Sequence, residues 1–85
     1  MTNNKILIEL EIPLIEKKYD LFIPINKKIG TIKNTLISFI QNEYGFSIKD
    51  TGSVSIIEKE TGNVLNEDIF VYDSIIRNGT KILLI

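Results

Sequence analysis

Regular alternation of apolar and polar residues near the start of the chain constrains the fold more than any other feature. Every second position of this segment is aliphatic: Ile6, Ile8, Leu10 and Ile12. Successive side chains of a strand point to opposite faces, so this period predicts a strand with one buried face. Pro13 follows directly and lacks the N–H group that a sheet requires, so we expect the strand to end there.

A second strand is predicted over residues 19–23, where Leu21 and Ile23 share one face and Pro24 follows. Only a short, charged connection, Glu16-Lys17-Lys18, precedes it. Parallel strands need a connection of roughly a dozen residues or more, whereas antiparallel strands do not. The chain is therefore expected to open with an antiparallel β-hairpin.

The following segment changes to a spacing of three to four residues, which is typical of an amphipathic helix. Its apolar face is predicted to contain Ile29, Ile32 and Leu36, continuing through Phe39 or Ile40. Gly30-Thr31 is predicted as the N-cap, and Gly45 as the left-handed residue beyond the last turn. One long helix is therefore expected after the hairpin.

The rest of the chain predicts short strands and turns. We expect a third strand over residues 53–58, a tight turn over 60–63 and a fourth strand at Val64-Leu65. Residues 66–79 have no clean period but are too apolar for a free loop, which indicates one or two helical turns. A fifth strand is predicted over residues 80–85. This order is typical of the α+β class, in a single domain of residues 1–85.

Composition excludes much of the chemistry available to small proteins. Cys and His are absent, which removes disulfides, thiolate zinc sites and imidazole bases, and leaves the serines without an activating histidine. We therefore expect no catalytic residue, no cofactor and no metal. The alternative is a hard cation held by Glu9 and Glu11, although carboxylates on a strand face more often serve solubility.

Charge and hydropathy argue against nucleic acid and membranes as binding partners. Ten basic and eleven acidic residues give a net charge of −1, which offers no electrostatic reason to bind nucleic acid. No apolar run approaches the ~18 residues of a membrane span, and glutamates interrupt the first apolar segment. We expect a cytoplasmic protein that neither binds nucleic acid nor inserts into a membrane.

A hairpin, one long helix, a short hairpin, a helical turn and a closing strand within 85 residues resemble the β-grasp of ubiquitin. The local likeness lies in residues 19–24, in the helix spacing, and in residues 73–83, which read Asp-Ser-Ile-Ile-Arg-Asn-Gly-Thr-Lys-Ile-Leu. The resemblance implies a mixed five-stranded sheet, in the order 2-1-5-3-4, packed on one long helix plus a short helical turn.

Within that superfamily the chain resembles the YukD/EsaB family, free-standing ubiquitin-like proteins encoded with bacterial type VII (WXG100) secretion systems. The likeness rests on residues 19–24, on Ile32-Lys33-Asn34 and on Asn78-Gly79. A composition rich in Ile, Lys and Asn also suits a low-GC Gram-positive source. The resemblance implies an accessory or regulatory component of such a system. An adaptor in an unrelated bacterial pathway is the alternative.

The sulfur carriers and conjugated modifiers that share the ubiquitin fold act through a flexible tail ending in Gly-Gly. Here the sequence given ends in Lys-Ile-Leu-Leu-Ile, inside the predicted last strand. A β-branched terminal residue without a tail is a poor substrate for an adenylating enzyme, so we expect neither role.

Alternation also predicts an apolar patch on the sheet face away from the helix. Four side chains are forced onto that face: Leu7, Phe22, Ile57 and Leu83. Strands one, five and three are neighbours in the implied order, so Leu7, Leu83 and Ile57 are expected to adjoin. Contiguous exposed apolar surface marks interaction sites, so we predict that these residues bind a protein. The alternatives are composition bias alone and a weak homodimer through the same patch.

Overall fold

The computed structural model describes residues 4–45 and 47–85. The first three residues of the predicted domain, and Phe46, lie outside these ranges. The described chain contains one long helix and a four-stranded mixed sheet, with short 3-10 turns between the elements. The buried side chains lie between the helix and one face of the sheet.

The predicted hairpin is confirmed as strands β1, Lys5–Ile12, and β2, Lys17–Pro24, which pair in antiparallel fashion along their whole length. A 3-10 turn, Pro13–Ile15, connects them, because Pro13 ends the ladder and suits the first position of a helical turn. Glu16 closes the turn in the left-handed conformation, with φ 53°.

Helix α1, Ile29–Tyr44, confirms the long helix, but its N-cap is Lys28 rather than the predicted Gly30-Thr31. Within the part of the chain that the structure describes, no side chain caps this end. Instead, two carbonyls of the loop before the last strand accept its free N–H groups: Ile29 N–H donates to Ile69 at 2.9 Å and Gly30 N–H to Glu67 at 2.9 Å. Tertiary contacts thus replace the local cap. Gly45 ends the helix with φ 72°, as predicted.

Strands β3, Ile56–Glu58, and β4, Lys81–Leu84, complete a sheet in the order β2-β1-β4-β3. Strand β4 runs parallel to β1 and antiparallel to β3. The predicted sheet of five strands, in the order 2-1-5-3-4, is wrong by one strand. Val64-Leu65 contributes a single bridge, between Ile57 and Val64, because the chain turns away at Asn66, whose side chain accepts the N–H of Asp68.

Two further segments refine the predicted elements. Thr51–Ser53 forms a 3-10 turn, in which the Asp50 carboxylate accepts the N–H of Gly52, and the third strand begins at Ile56 rather than at the predicted residue 53. Val71–Asp73 forms the helical turn expected between residues 66 and 79, with Val71 fully buried.

The core confirms the predicted inward face of the sheet. Its fully buried side chains from the strands are Ile8, Leu10, Ile12, Ile23, Ile56, Ile82 and Leu84. The helix contributes Ile29, Ile32, Leu36, Ile37 and Ile40. Burying these side chains stabilises the fold by about 1.5–3 kcal/mol each relative to exposure, before the entropic cost.

Candidate protein-binding surface

The outer face of the sheet, on the side away from α1, carries the four residues predicted to bind a protein. Leu7 is 38% exposed and Phe22 is 64% exposed, whereas Ile57 and Leu83 are half-buried. Their neighbours in sequence point inward and are buried or half-buried, so the alternation that predicted their orientation is confirmed.

The structure brings these residues together in two pairs. Leu7 lies opposite Phe22 across β1 and β2, and Ile57 lies opposite Leu83 across β3 and β4. The neighbour of Leu83 on β1 is Glu11 rather than Leu7. Four residues of extended strand separate Glu11 from Leu7, which is about 13 Å. The expected contact of Leu7 with Leu83 is therefore absent, because the parallel register places them at opposite ends of the sheet.

A band of charged side chains separates the two pairs. Glu9 lies between Asp20 and Lys81, and Glu11 lies beside Lys18. The Nζ atom of Lys59 reaches over β4 to within 2.5 Å of Glu11 Oε1, and Lys18 Nζ lies 4.0 Å from the same oxygen. The outer face therefore has two apolar corners and a charged diagonal, rather than one apolar patch.

The electrostatics of this band follow from the Lys59–Glu11 contact. The hydrogen bond from Lys59 lowers the pKa of Glu11 below its ordinary value of 4.5, and it raises the pKa of Lys59 above 10.5. Both groups are accessible to water, so the pair orients the two side chains more than it stabilises the fold. Glu11 is consequently engaged with cations of the protein itself.

The structure adds a residue that sequence reasoning did not include. Val64 lies opposite Ile57 in the isolated bridge, on the same outer face, and is 67% exposed. Leu83, Ile57 and Val64 thus stand side by side across three adjacent chain segments, and we call them the aliphatic row. The predicted turn over residues 60–63 was the signal that could have found Val64, because a tight hairpin places it opposite the third strand.

A buried carboxylate holds this hairpin in place. The side chain of Glu58 accepts the N–H groups of Glu60, at 3.1 Å, and Thr61, at 2.8 Å, and also accepts the Thr61 hydroxyl. The hydrogen bond from that hydroxyl lowers the pKa of Glu58 below 4.5. Backbone bonds from Glu58 N–H to Asn63 and from Leu65 N–H to Ile56, each 2.9 Å, then fix Val64 beside Ile57.

The described residues offer little for chemistry at this face. Within residues 4–45 and 47–85, no group of three or more acidic side chains is arranged to hold a metal ion. No helix in those ranges is long and apolar enough to cross a membrane. The arrangement consists of an apolar strip with a polar border.

No family model matches the chain, and no curated protein matches it. Solved structures do match. The N-terminal ubiquitin-like domain of the 4931431F19Rik protein superposes with a TM-score of 0.74 at 12% identity, over 99% of this chain and 76% of that chain. The ubiquitin of Caldiarchaeum subterraneum superposes with a TM-score of 0.72 at 11% identity, over 94% of this chain and 90% of that chain. The fold is the ubiquitin-like β-grasp.

The same β-grasp also occurs inside a larger assembly. A chain of the ESX-5 inner membrane complex superposes with a TM-score of 0.75 at 10% identity, over 98% of this chain and 21% of that chain. At such identities these likenesses establish the fold alone.

Proposed function

We propose that the chain is a non-enzymatic ubiquitin-like protein-interaction module that docks a partner through the aliphatic row. The observation that carries this proposal is the adjacency of Leu83, Ile57 and Val64 on a face whose centre is otherwise charged. Burial of such side chains by a partner is favourable at roughly 25 cal/mol per Å² of apolar area. Three adjacent aliphatic residues therefore make a compact anchor.

The border of the row supplies specificity. Lys59 and Lys81 lie on the side of the row that faces the rest of the sheet, and Lys59 is held there by Glu11. Apolar anchors surrounded by polar groups that exclude water are the usual arrangement of interface hot spots. A partner that presents an apolar ridge flanked by carboxylates complements this surface.

We also propose that the partner belongs to a bacterial type VII (WXG100) secretion system, and that the chain is a cytoplasmic accessory or regulatory component. Support comes from the sequence resemblance to the YukD/EsaB family in residues 19–24 and in Ile32-Lys33-Asn34. A β-grasp domain within the ESX-5 inner membrane complex is compatible with this proposal. An adaptor in an unrelated bacterial pathway is the second candidate and would use the same row.

Two matched variants test the docking surface. Val64→Asp and Phe22→Asp each place a carboxylate on the outer face at similarly exposed positions, 67% and 64%, but in opposite corners. Binding to purified WXG100 proteins and FtsK/SpoIIIE-type ATPases encoded beside the gene is measured by calorimetry. We expect Val64→Asp and Leu83→Asp to weaken binding at least 30-fold, about 2 kcal/mol or more, and Phe22→Asp to leave it unchanged.

The opposite pattern, with binding lost in Phe22→Asp and kept in Val64→Asp, would transfer the docking site to the Leu7–Phe22 corner. Circular dichroism of each variant shows whether the fold is intact. If no protein encoded near the gene belongs to a secretion system, the adaptor proposal replaces the secretion proposal while the aliphatic row remains testable.

A further inference from the structure

Strand β2 has an open edge. The sheet order β2-β1-β4-β3 leaves β2 and β3 as its outer strands. The outer side of β3 is covered, because Glu58 and Leu65 exchange backbone hydrogen bonds across the hairpin with Asn63 and Ile56. Among residues 4–45 and 47–85, no segment pairs with the outer side of β2.

The pairing with β1 determines which backbone groups of β2 are free. Ile25 N–H donates to Asn4 at 2.8 Å, just beyond the strand. Hydrogen-bonded and non-hydrogen-bonded pairs alternate in an antiparallel ladder, so Ile23, Leu21 and Tyr19 bond toward β1. The N–H and C=O groups of Lys18 and Asp20 therefore point away from the sheet, ready to pair with another strand.

The charge of Asp20 is not stabilised by the residue opposite it in the monomer. It lies directly opposite Glu9 on β1, and like charges in direct register destabilise a sheet. It takes part in no ion pair within the described ranges. Lys18, two positions away on the same face, has only a 4.0 Å contact with Glu11, and its side chain is 61% exposed.

We propose that the β2 edge binds the β2 edge of a second copy of this chain, in antiparallel orientation, about a two-fold axis through the Tyr19 pair. In this register Lys18 of each copy faces Asp20 of the other. Each Asp20 carboxylate thus gains an ammonium partner, which it does not have among the described residues of the monomer. The two residues also exchange backbone hydrogen bonds across the axis. The alternating charges are self-complementary under a two-fold rotation, which is the requirement for an isologous interface.

Other registers are disfavoured by charge and by proline. An axis at Asp20 places two carboxylates opposite each other, and an axis at Lys18 places two ammonium groups opposite each other. Axes further along the strand bring Pro24, which has no N–H, opposite Asp20 or Lys18. Lysines on an edge strand commonly prevent it from pairing with another strand. Here Asp20 offsets the charge of Lys18, so the edge can pair with the same edge of a second copy in one register.

The helix side of the edge supports the same axis. Tyr19 packs edge-on against Phe39, with ring centroids 5.6 Å apart and planes at 86°, and its hydroxyl bonds that of Tyr44. Phe39 is 39% exposed at this edge. At the axis the Tyr19 side chains of the two copies form a non-hydrogen-bonded pair, where cross-strand side chains approach most closely. The aromatic cluster then becomes continuous between the copies.

A charge swap tests the pairing. Sedimentation velocity from micromolar to millimolar protein is expected to show a reversible monomer–dimer equilibrium for the natural chain. Lys18→Asp and Asp20→Lys, each alone, place like charges opposite each other in the dimer, and we expect each to weaken dimerisation at least tenfold. The double variant, Lys18→Asp with Asp20→Lys, restores complementarity and is expected to restore the dimer.

The matched control is Glu60→Lys, which makes the same charge reversal as Asp20→Lys at an exposed position of the turn after β3, at the opposite edge of the sheet, and it should leave the equilibrium unchanged. Slower amide exchange of Lys18 and Asp20 at high protein concentration is the expected local signature. A chain that stays monomeric at millimolar concentration overturns the proposal, as does a double swap that fails to restore the dimer. A dimer that survives both single variants but is lost in Val64→Asp assigns self-association to the aliphatic row instead.

Discussion

The ammonium group of Lys33 lies 2.9 Å from Oε2 of Glu67, although Lys33 is only 3% exposed. The same nitrogen donates to the carbonyls of Thr51 and Val54, each at 3.1 Å. A buried ammonium is tolerated only when such partners replace water. One side chain of the helix thus ties down the loops on both sides of β3.

The first prediction concerns this pair. Lys33→Met and Glu67→Gln are each expected to destabilise the fold, and the double variant is expected to lose less than the sum. We expect a coupling energy of about 1–3 kcal/mol from urea unfolding, because the hydrogen bond that joins the two side chains is charge-assisted and the nitrogen of Lys33 is buried. The exposed pair Lys18–Glu11, in Lys18→Met with Glu11→Gln, serves as the control and should couple by about 0–1 kcal/mol. Equal coupling in the two cycles would contradict the structural role of Lys33.

A second prediction concerns acid stability and the Glu58 carboxylate. Its pKa in the folded protein is lowered by the Thr61 hydroxyl, so the folded state binds fewer protons than the unfolded state below the ordinary value of 4.5. The resulting stabilisation is present above that pH and is lost as the pH falls through the folded pKa. In Thr61→Val the Glu58 pKa, measured by NMR titration, should rise toward 4.5. Thr31→Val, on the exposed helix surface, should leave it unchanged.

The Tyr19–Tyr44 contact supports a third prediction, at alkaline pH. The hydrogen bond with Tyr44 raises the pKa of Tyr19 to about 12, from an ordinary value of 10.0. The folded state therefore holds this proton longer than the unfolded state, and its contribution to stability is lost as the pH rises from 10 through the folded pKa. Tyr44→Phe should lower the Tyr19 pKa, followed by ultraviolet absorbance. Tyr72→Phe is the control, and a Tyr19 pKa that does not move in Tyr44→Phe would exclude the hydrogen bond as its cause.

A fourth prediction tests the end of the helix. Gly45 has φ 72°, and among the described residues no atom lies within 4 Å of the position that a Cβ atom would take, so the backbone conformation is what opposes a side chain there. Gly45→Ala should cost about 1–2 kcal/mol in urea unfolding, because an L-residue is strained in the left-handed region. Gly45→Asn should cost less, since Asn tolerates that region better. An alanine variant as stable as the natural chain would show that the helix does not end at this residue.

Alternation predicted which face each strand residue occupies, but it could not predict the register between distant strands. Leu7 and Leu83 point outward as expected, yet the parallel pairing of β1 with β4 sets Leu83 beside Glu11. That register depends on the crossover through α1 and the loops that follow it, and no local period specifies how far this crossover shifts β4 along β1. The alternation therefore predicted the correct face of the sheet for Leu7 and Leu83. It wrongly predicted that the two side chains adjoin.

The helix start and the aliphatic row show the same limit. Lys28 precedes the helix without a capping side chain because Ile69 and Glu67 supply the carbonyls from far along the chain. Similarly, Val64 joins the row only because Glu58 folds the hairpin over itself. Local sequence patterns identified the helix and the hairpin. The hydrogen-bonding partners that fix their positions come from other parts of the folded chain, which no local pattern predicts.

The parallel pairing of β1 with β4 has a consequence for biosynthesis. Strand β1 has β4 as its parallel neighbour, and the paired residues lie about seventy positions apart in the chain, since Glu9 is paired with Lys81. A ribosome delivers the hairpin and the helix first, and the edge of β1 that pairs with β4 remains without its partner strand until β4 emerges. Contacts so distant in sequence slow folding through the entropy of loop closure. The nascent chain therefore keeps one edge of β1 unpaired until residues 81–84 have been synthesised, and the sheet is completed only then.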